Sequence, residues 1–172
     1  MNKITFVLGG ARSGKSSYAL DLAKKQKGKI AFLATCQALD KEMEKRIALH
    51  KNSRPSHWQS FEEPRDIEKV LRNSGNSFDL IIIDCLTLWV SNLLLARNSQ
   101  AQIEAKIGAV LSAAKKVKAK IIFVANEVGL GIVPANKLGR DFRDIAGKVN
   151  QITAKNSDRV FFMVSGIPWR IK

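Results

Sequence analysis

The sequence predicts an α/β fold, a mostly parallel sheet with helices on both faces, in three layers. Three observations predict it. Apolar, β-prone runs alternate with helical segments along the whole chain. Those runs are continuously apolar, as in strands buried on both faces of a parallel sheet. The first run leads into Gly9-Gly10-Ala11-Arg12-Ser13-Gly14-Lys15-Ser16. That stretch fits G-x-x-x-x-G-K-[ST], the phosphate-binding P-loop, in the strand–loop–helix setting the motif requires.

Each element can be read in order. Ile4 to Leu8 is a buried strand, and Ser17 to Lys25 carries helix formers at helical spacing. Lys29 to Ala34 is the second strand. Asp40 is an N-cap for a helix over Lys41 to about Lys51, with Leu39, Met43, Ile47 and His50 along one face. Pro55 restrains the residue before it and ends that helix. Trp58 to Glu62 reads as a strand, and Asp66 to Arg72 as a helix. The turn cluster at residues 73–77 is too short to separate domains. Phe78 to Asp84 is a strand ending in a carboxylate, followed by helices over Leu86 to Ala96 and Ile103 to Val117. Lys120 to Ala125 is a strand, Val128 to Pro134 a loop, Gly139 to Lys155 a helix, and Arg159 to Val164 the last strand. With no repeat or linker, one catalytic domain over residues 1–172 is expected.

In such a sheet, ligands sit at the carboxyl ends of the strands. The residues there are Thr35, Asp84, Asn126, Glu127 and the glycine loop. Gly9, Gly10 and Gly14 let the backbone curl with its N–H groups inward, and the helix start adds positive potential. Lys15 can reach the β- and γ-phosphates, and the Ser16 hydroxyl can ligate Mg²⁺. Asp84 can hold the same Mg²⁺ or cap the next helix, and the glycine loop favours the metal role. Glu127 can act as a general base or cap its loop, and the sequence does not choose. There are two histidines. His57, before Trp58, reads as structural. His50 could attack an α-phosphorus, with Lys51 and Arg54 stabilising the departing pyrophosphate. Its residue chemistry alone favours a plainer role at a helix end.

Composition narrows the class. The chain is 45% hydrophobic, which excludes a disordered polyelectrolyte, and its apolar runs are too short for a membrane span. It starts directly in a strand with no signal-peptide pattern, so a cytoplasmic enzyme is expected, with Cys36 and Cys85 reduced. A net charge of +14 suits polyanions. Lysines cluster at predicted helix ends, as in Lys24-Lys25 and Lys115-Lys116, where they favour the dipole and keep the protein soluble. No basic run is interleaved with aromatics, so nucleic acid is not an expected partner, and a nucleic-acid-binding ATPase is the weakest reading.

The motifs together are more specific than the loop alone. They are Gly9 to Ser16, Ala34-Thr35 with Ala38-Leu39-Asp40, Arg46-Ile47, His50, Arg54-Pro55 and Glu62-Glu63-Pro64. Asp84 to Trp89, Asn126 to Pro134, Phe142-Arg143-Asp144 and Gly166-Ile167-Pro168 complete them. Over essentially its whole length the sequence resembles the bifunctional adenosylcobinamide kinases / adenosylcobinamide-phosphate guanylyltransferases of cobalamin biosynthesis. The resemblance implies a RecA-like P-loop fold and a homotrimer with sites near subunit boundaries. It implies that ATP or GTP phosphorylates adenosylcobinamide, and that GTP then gives GMP to a histidine, releasing pyrophosphate. Transfer to adenosylcobinamide phosphate would yield adenosylcobinamide-GDP. By position the histidine is His50, which reverses the reading from residue chemistry. Nucleotide contacts map onto Gly9 to Ser16, Ala34-Thr35-Cys36, Lys51, Asn52, Ser53, Arg54, Glu62 and Asp84. Cys36 stands where a smaller residue is expected, and it is small and apolar enough to pack there. A kinase using only Lys15, Ser16 and Asp84, without covalent GMP, is the alternative.

Overall fold

A computed structural model describes residues 3–37, 41, 51 and 54–172. Their strands form one seven-stranded sheet. The strands are β1 (Ile4–Gly9), β2 (Ile30–Ala34), β3 (Gln59–Glu62), β4 (Leu80–Asp84), β5 (Lys120–Asn126), β6 (Arg159–Val164) and β7 (Ile167–Arg170). The spatial order is β3-β2-β4-β5-β1-β6-β7. Every pairing is parallel except β6 with β7. The described helices are α1 (Lys15–Lys24), α2 (Ile67–Ser74), α3 (Leu86–Leu95), α4 (Gln100–Lys116) and α5 (Lys137–Asn156).

The continuously apolar strands are what a two-faced sheet demands. Successive strand residues point to opposite faces, so a strand covered on both sides needs apolar residues at every position. On one face Phe6, Leu33, Ile81, Ile83 and Phe123 pack with residues of α2, α3, α4 and α5. On the other, Val7, Phe32, Ile82, Ile122 and Val124 pack against Ala19, Leu20 and Ala23 of α1. The layers are helix, sheet and helix, as expected.

The helix ends follow their side chains. Ser99 caps α4 with a full capping box, its hydroxyl accepting from Gln102 N–H while the Gln102 amide accepts from Ser99 N–H. Asn136 caps α5 by accepting from Gly139 N–H at 2.7 Å. Two boundaries move as a result: α4 starts at Gln100 rather than Ile103, and α5 at Lys137 rather than Gly139.

One element was not foreseen. β7 is short and exposed along its length, and Pro168 obscures it as a strand despite the strand formers Ile167 and Trp169. A two-residue turn, Ser165-Gly166, creates it, with φ of 49° and 85° at the two positions. The expected helix from Lys41 to about Lys51 lies outside the described residues, apart from Lys41 and Lys51 themselves, which are helical.

Candidate active site

The sheet lines up the carboxyl ends of β2, β4, β5 and β1 in that order, and the glycine loop fills the step from β1 to α1. Backbone approach sets where glycine is needed. A Cβ on Gly9 would lie 2.6 Å from the Met163 carbonyl oxygen. Gly14 has φ +91°, and a Cβ there would lie 3.2 Å from Gly166 Cα. Gly10 is under no such pressure from the protein, since a Cβ there would meet nothing within 4 Å. Gly14 precedes α1 with no side-chain cap. The first N–H groups of the helix are thereby left to an anion.

Lys15 is buried, and its Nζ donates to the Gly10 carbonyl oxygen and, at 3.4 Å, to Ser13 Oγ. Burial lowers its pKa from the ordinary ammonium value, while the charge of Asp84 and then that of Cys85 act in the opposite direction. Ser16 Oγ donates to Asp84 Oδ2 at 2.8 Å, so the loop and the end of β4 are joined by two oxygen groups. Hard oxygen donors are what Mg²⁺ takes. Among the described residues no group of three or more His, Cys, Asp or Glu could cage a metal.

A cavity of about 630 Å³ opens from the loop toward β2 and β3. That is room for a nucleotide-sized molecule. Lys15, Ser16, Asp84, Arg54 and Glu62 supply its polar walls, and Phe32, Ala34 and Leu88 its apolar ones. Arg54 lies over Phe32 with its guanidinium carbon 3.5 Å from the ring centroid. Burial lowers the Arg54 pKa, opposed by Asp84 and then Glu62. Its Nε is buried without a partner among the described residues. Glu62, at the end of β3, is ion-paired with exposed Lys51.

Of the residues expected at the site, Ala11 to Ser16, Cys36, Ala34, Arg54, Glu62 and Asp84 line this cavity together. Gly9 packs on Met163 behind the loop. Thr35 is fully buried, and its hydroxyl donates to the Cys85 carbonyl oxygen at 2.7 Å and accepts from Cys85 N–H at 2.9 Å. It therefore ties β2 to the residue following Asp84. Asn92 of α3 adds to that tie, donating to the carbonyl oxygens of Thr35 and Pro64. Glu127 caps its loop, its Oε1 accepting from Gly129 N–H at 2.7 Å. His57 is exposed in a turn beside buried Trp58. His50, Asn52 and Ser53 lie outside the described residues.

Asn126, expected at a strand end, lines the cavity too, and Ser17, Phe32, Cys85 and Leu88 line it without having been expected there as site residues. Phe32 had no signal of its own, because an aromatic in an apolar strand reads as core. Leu88 had one, since it falls within the Asp84 to Trp89 motif.

The family model described as cobinamide kinase / cobinamide phosphate guanyltransferase matches residues 5–171. The bifunctional adenosylcobalamin biosynthesis protein CobP of Pseudomonas aeruginosa is 42% identical over 166 residues, covering 96% of this chain and 95% of that protein. The bifunctional adenosylcobalamin biosynthesis protein CobU of Salmonella typhimurium is also 42% identical, over 178 residues, covering 96% of this chain and 98% of its own. The CobU of Escherichia coli is 38% identical over the same span. Among solved structures, the RadB recombinase aligns with a TM-score of 0.56 at 15% identity, covering 92% of this chain and 73% of its own. An ATPase of a bacterial type III secretion system aligns at 0.55 and 15% identity over 94% of this chain, which spans about half of that ATPase (52%). At that identity the likeness concerns the fold, the RecA-like P-loop sheet.

Proposed function

Since the chain belongs to the cobinamide kinase / cobinamide phosphate guanyltransferase family, we propose that one cavity serves both reactions, with His50 as the residue that carries GMP between them. The family makes the protein a transferase of cobalamin biosynthesis. The observation that carries the proposal is the convergence of the glycine loop, Asp84, Arg54 and Glu62 on a single 630 Å³ space.

In the kinase step the nucleotide phosphates lie in the loop. The N–H groups of the loop and of the α1 start receive them, and the Lys15 ammonium leaves the Gly10 carbonyl for the β- and γ-phosphates. The adenosylcobinamide hydroxyl oxygen then bonds to the γ-phosphorus, the β–γ P–O bond breaks, the nucleoside diphosphate leaves and the hydroxyl proton passes to water. Ser16 and Asp84 would hold Mg²⁺, whose charge neutralises phosphate oxygens when bound. Arg54, fixed against Phe32, places a permanent cation in the same cavity.

In the transfer step a neutral His50 imidazole attacks the α-phosphorus of GTP. A P–N bond forms, the α–β P–O bond breaks, and pyrophosphate leaves against Lys15 and Arg54. The phosphate oxygen of adenosylcobinamide phosphate then displaces the imidazole, giving adenosylcobinamide-GDP and the free histidine. Lys51, Asn52 and Ser53 would follow the histidine to the nucleotide. A single catalytic domain, a homotrimer and a cytoplasmic location complete the proposal. Among the described residues no helix is long and apolar enough to cross a membrane.

The test is covalent labelling. With α-labelled GTP and Mg²⁺, the protein should retain acid-labile, base-stable label after denaturation, and His50→Ala should retain none. Label that survives in His50→Ala would move the intermediate to another residue. Phosphorylation of adenosylcobinamide with no label in the parent protein would leave the kinase-only alternative.

A further inference from the structure

A parallel sheet has two unlike ends, and here the end away from the cavity is made of lysine. The turn from α1 to β2 carries exposed Lys24, Lys25, Lys27 and Lys29. The turn from α4 to β5 carries exposed Lys116, Lys118 and Lys120. The two turns meet, with Lys120 Nζ donating to Gln26 Oε1 at 2.8 Å. Asp79 stands between them, accepting from Lys118 Nζ at 2.9 Å and from Lys29 N–H at 2.9 Å. Lys3, just before β1, joins the same face by donating to the Val117 carbonyl oxygen.

Little negative charge offsets these groups. Asp79 is held by Lys118, Asp21 lies 4.0 Å from Lys24, and Asp158 accepts from the backbone N–H groups of Lys3 and Ile4. Helix dipoles account for lysines in the last turns of α1 and α4. They do not account for Lys27, Lys29, Lys118 or Lys120, which lie beyond the helices in sequence. The composition of the two turns also selects a partner. They hold no arginine and no aromatic side chain, so they lack both the bidentate fork that reads phosphodiesters and the platforms on which bases stack. They show no exposed large apolar residue, so nothing inserts. Compact, hydrated lysine charges on a broad face suit a diffuse negative field.

We propose that this face docks the protein on an anionic phospholipid surface. Attachment there is electrostatic, and the cavity faces away from the lipid at the other end of the strands, about 20 Å off. The strand polarity that gathers the phosphate site at one end leaves the other end free to be held.

Vesicle sedimentation tests this. The protein should bind phosphatidylglycerol-containing vesicles at low salt, release as salt rises, and ignore pure phosphatidylcholine. Lys25→Gln/Lys27→Gln/Lys29→Gln should lower partitioning roughly a hundredfold. Lys69→Gln/Lys137→Gln/Lys148→Gln has the same net charge but alters exposed helical lysines outside these turns. It should lower partitioning less than about threefold, since only charges near the surface count. Both variants should keep the parent melting temperature and activity, because no altered residue lines the cavity. Equal losses in the two variants, no affinity for anionic vesicles, or binding to oligonucleotides alone would overturn the proposal.

Discussion

Gly166 N–H donates to the Ser13 carbonyl oxygen at 3.0 Å, so the turn between β6 and β7 holds the phosphate loop from outside. A loop that cradles an anion must turn carbonyls away from it and N–H groups toward it. The β6–β7 turn takes one of those carbonyls.

Gly166 has φ +85°, and a Cβ there would meet nothing within 4 Å. Gly166→Ala should therefore cost only backbone strain, about 1–2 kcal/mol. If the turn shifts to relieve it, the loop loses its tie. GTP affinity measured by calorimetry should fall about tenfold, the equivalent of 1.4 kcal/mol, with the melting temperature only slightly lowered.

Lys15→Met should separate stability from activity. Burial disfavours the charged ammonium, so the folded protein releases that proton at lower pH than the unfolded chain, whose value is 10.5. The cost is fully present below the folded value and is relieved as pH rises through it toward 10.5. At neutral pH the variant should melt higher than its parent without nucleotide, while kcat falls about 10²–10³-fold. An unchanged kcat would remove Lys15 from the chemistry.

Thr35→Val keeps the shape and removes the hydroxyl that both donates to and accepts from Cys85. It leaves the buried Cys85 N–H without its partner, while the Cys85 carbonyl keeps the Trp89 N–H, at about 1–3 kcal/mol. Denaturant unfolding should show that loss with an unchanged slope.

The two thiols should differ in reactivity. Burial, then the charge of Asp84, pushes the Cys85 thiol up to about 12, and Cys36 is raised by the same two causes in the same order. The thiolate is the nucleophile, so a maleimide or disulfide reagent at pH 8 should modify half-buried Cys36 slowly and Cys85 only after unfolding. GTP should protect Cys36, which lines the cavity. Between pH 9 and about 12 the unfolded chain gives up the Cys85 proton and the folded one keeps it. That group therefore lowers stability as pH rises through the window. Modification of Cys85 in the native protein at pH 8 would contradict its burial.

What the sequence shows of this fold is what periodicity and turn chemistry can carry. The long apolar runs reveal β1, β2, β4 and β5 because a strand buried on both faces has no polar position to confuse it. The glycine loop and Asp84 are legible as strand-end residues. The pairing of Arg54 with Phe32 is not, because it joins a residue outside any strand to one whose aromatic side chain looks like core. Thr35 is legible as a strand-end polar residue, but its bond to Cys85 depends on β2 lying beside β4, a neighbour relation that no local pattern contains. For Glu127 the sequence leaves capping and general-base roles level, and the cap shows only where Gly129 folds back on it.

The antiparallel β7 also bears on how the sheet ends. Val164 and Ile167 flank the two-residue turn, which makes Met163 and Pro168 the next pair and aims the Pro168 nitrogen at open solvent. The outermost strand thus offers a gap where an approaching strand would look for a donor. At the opposite border, β3 is only four residues long. A chain whose interior strands are rich in isoleucine and phenylalanine therefore closes both borders against fibril-like growth, and replacing Pro168 with valine would reopen one of them.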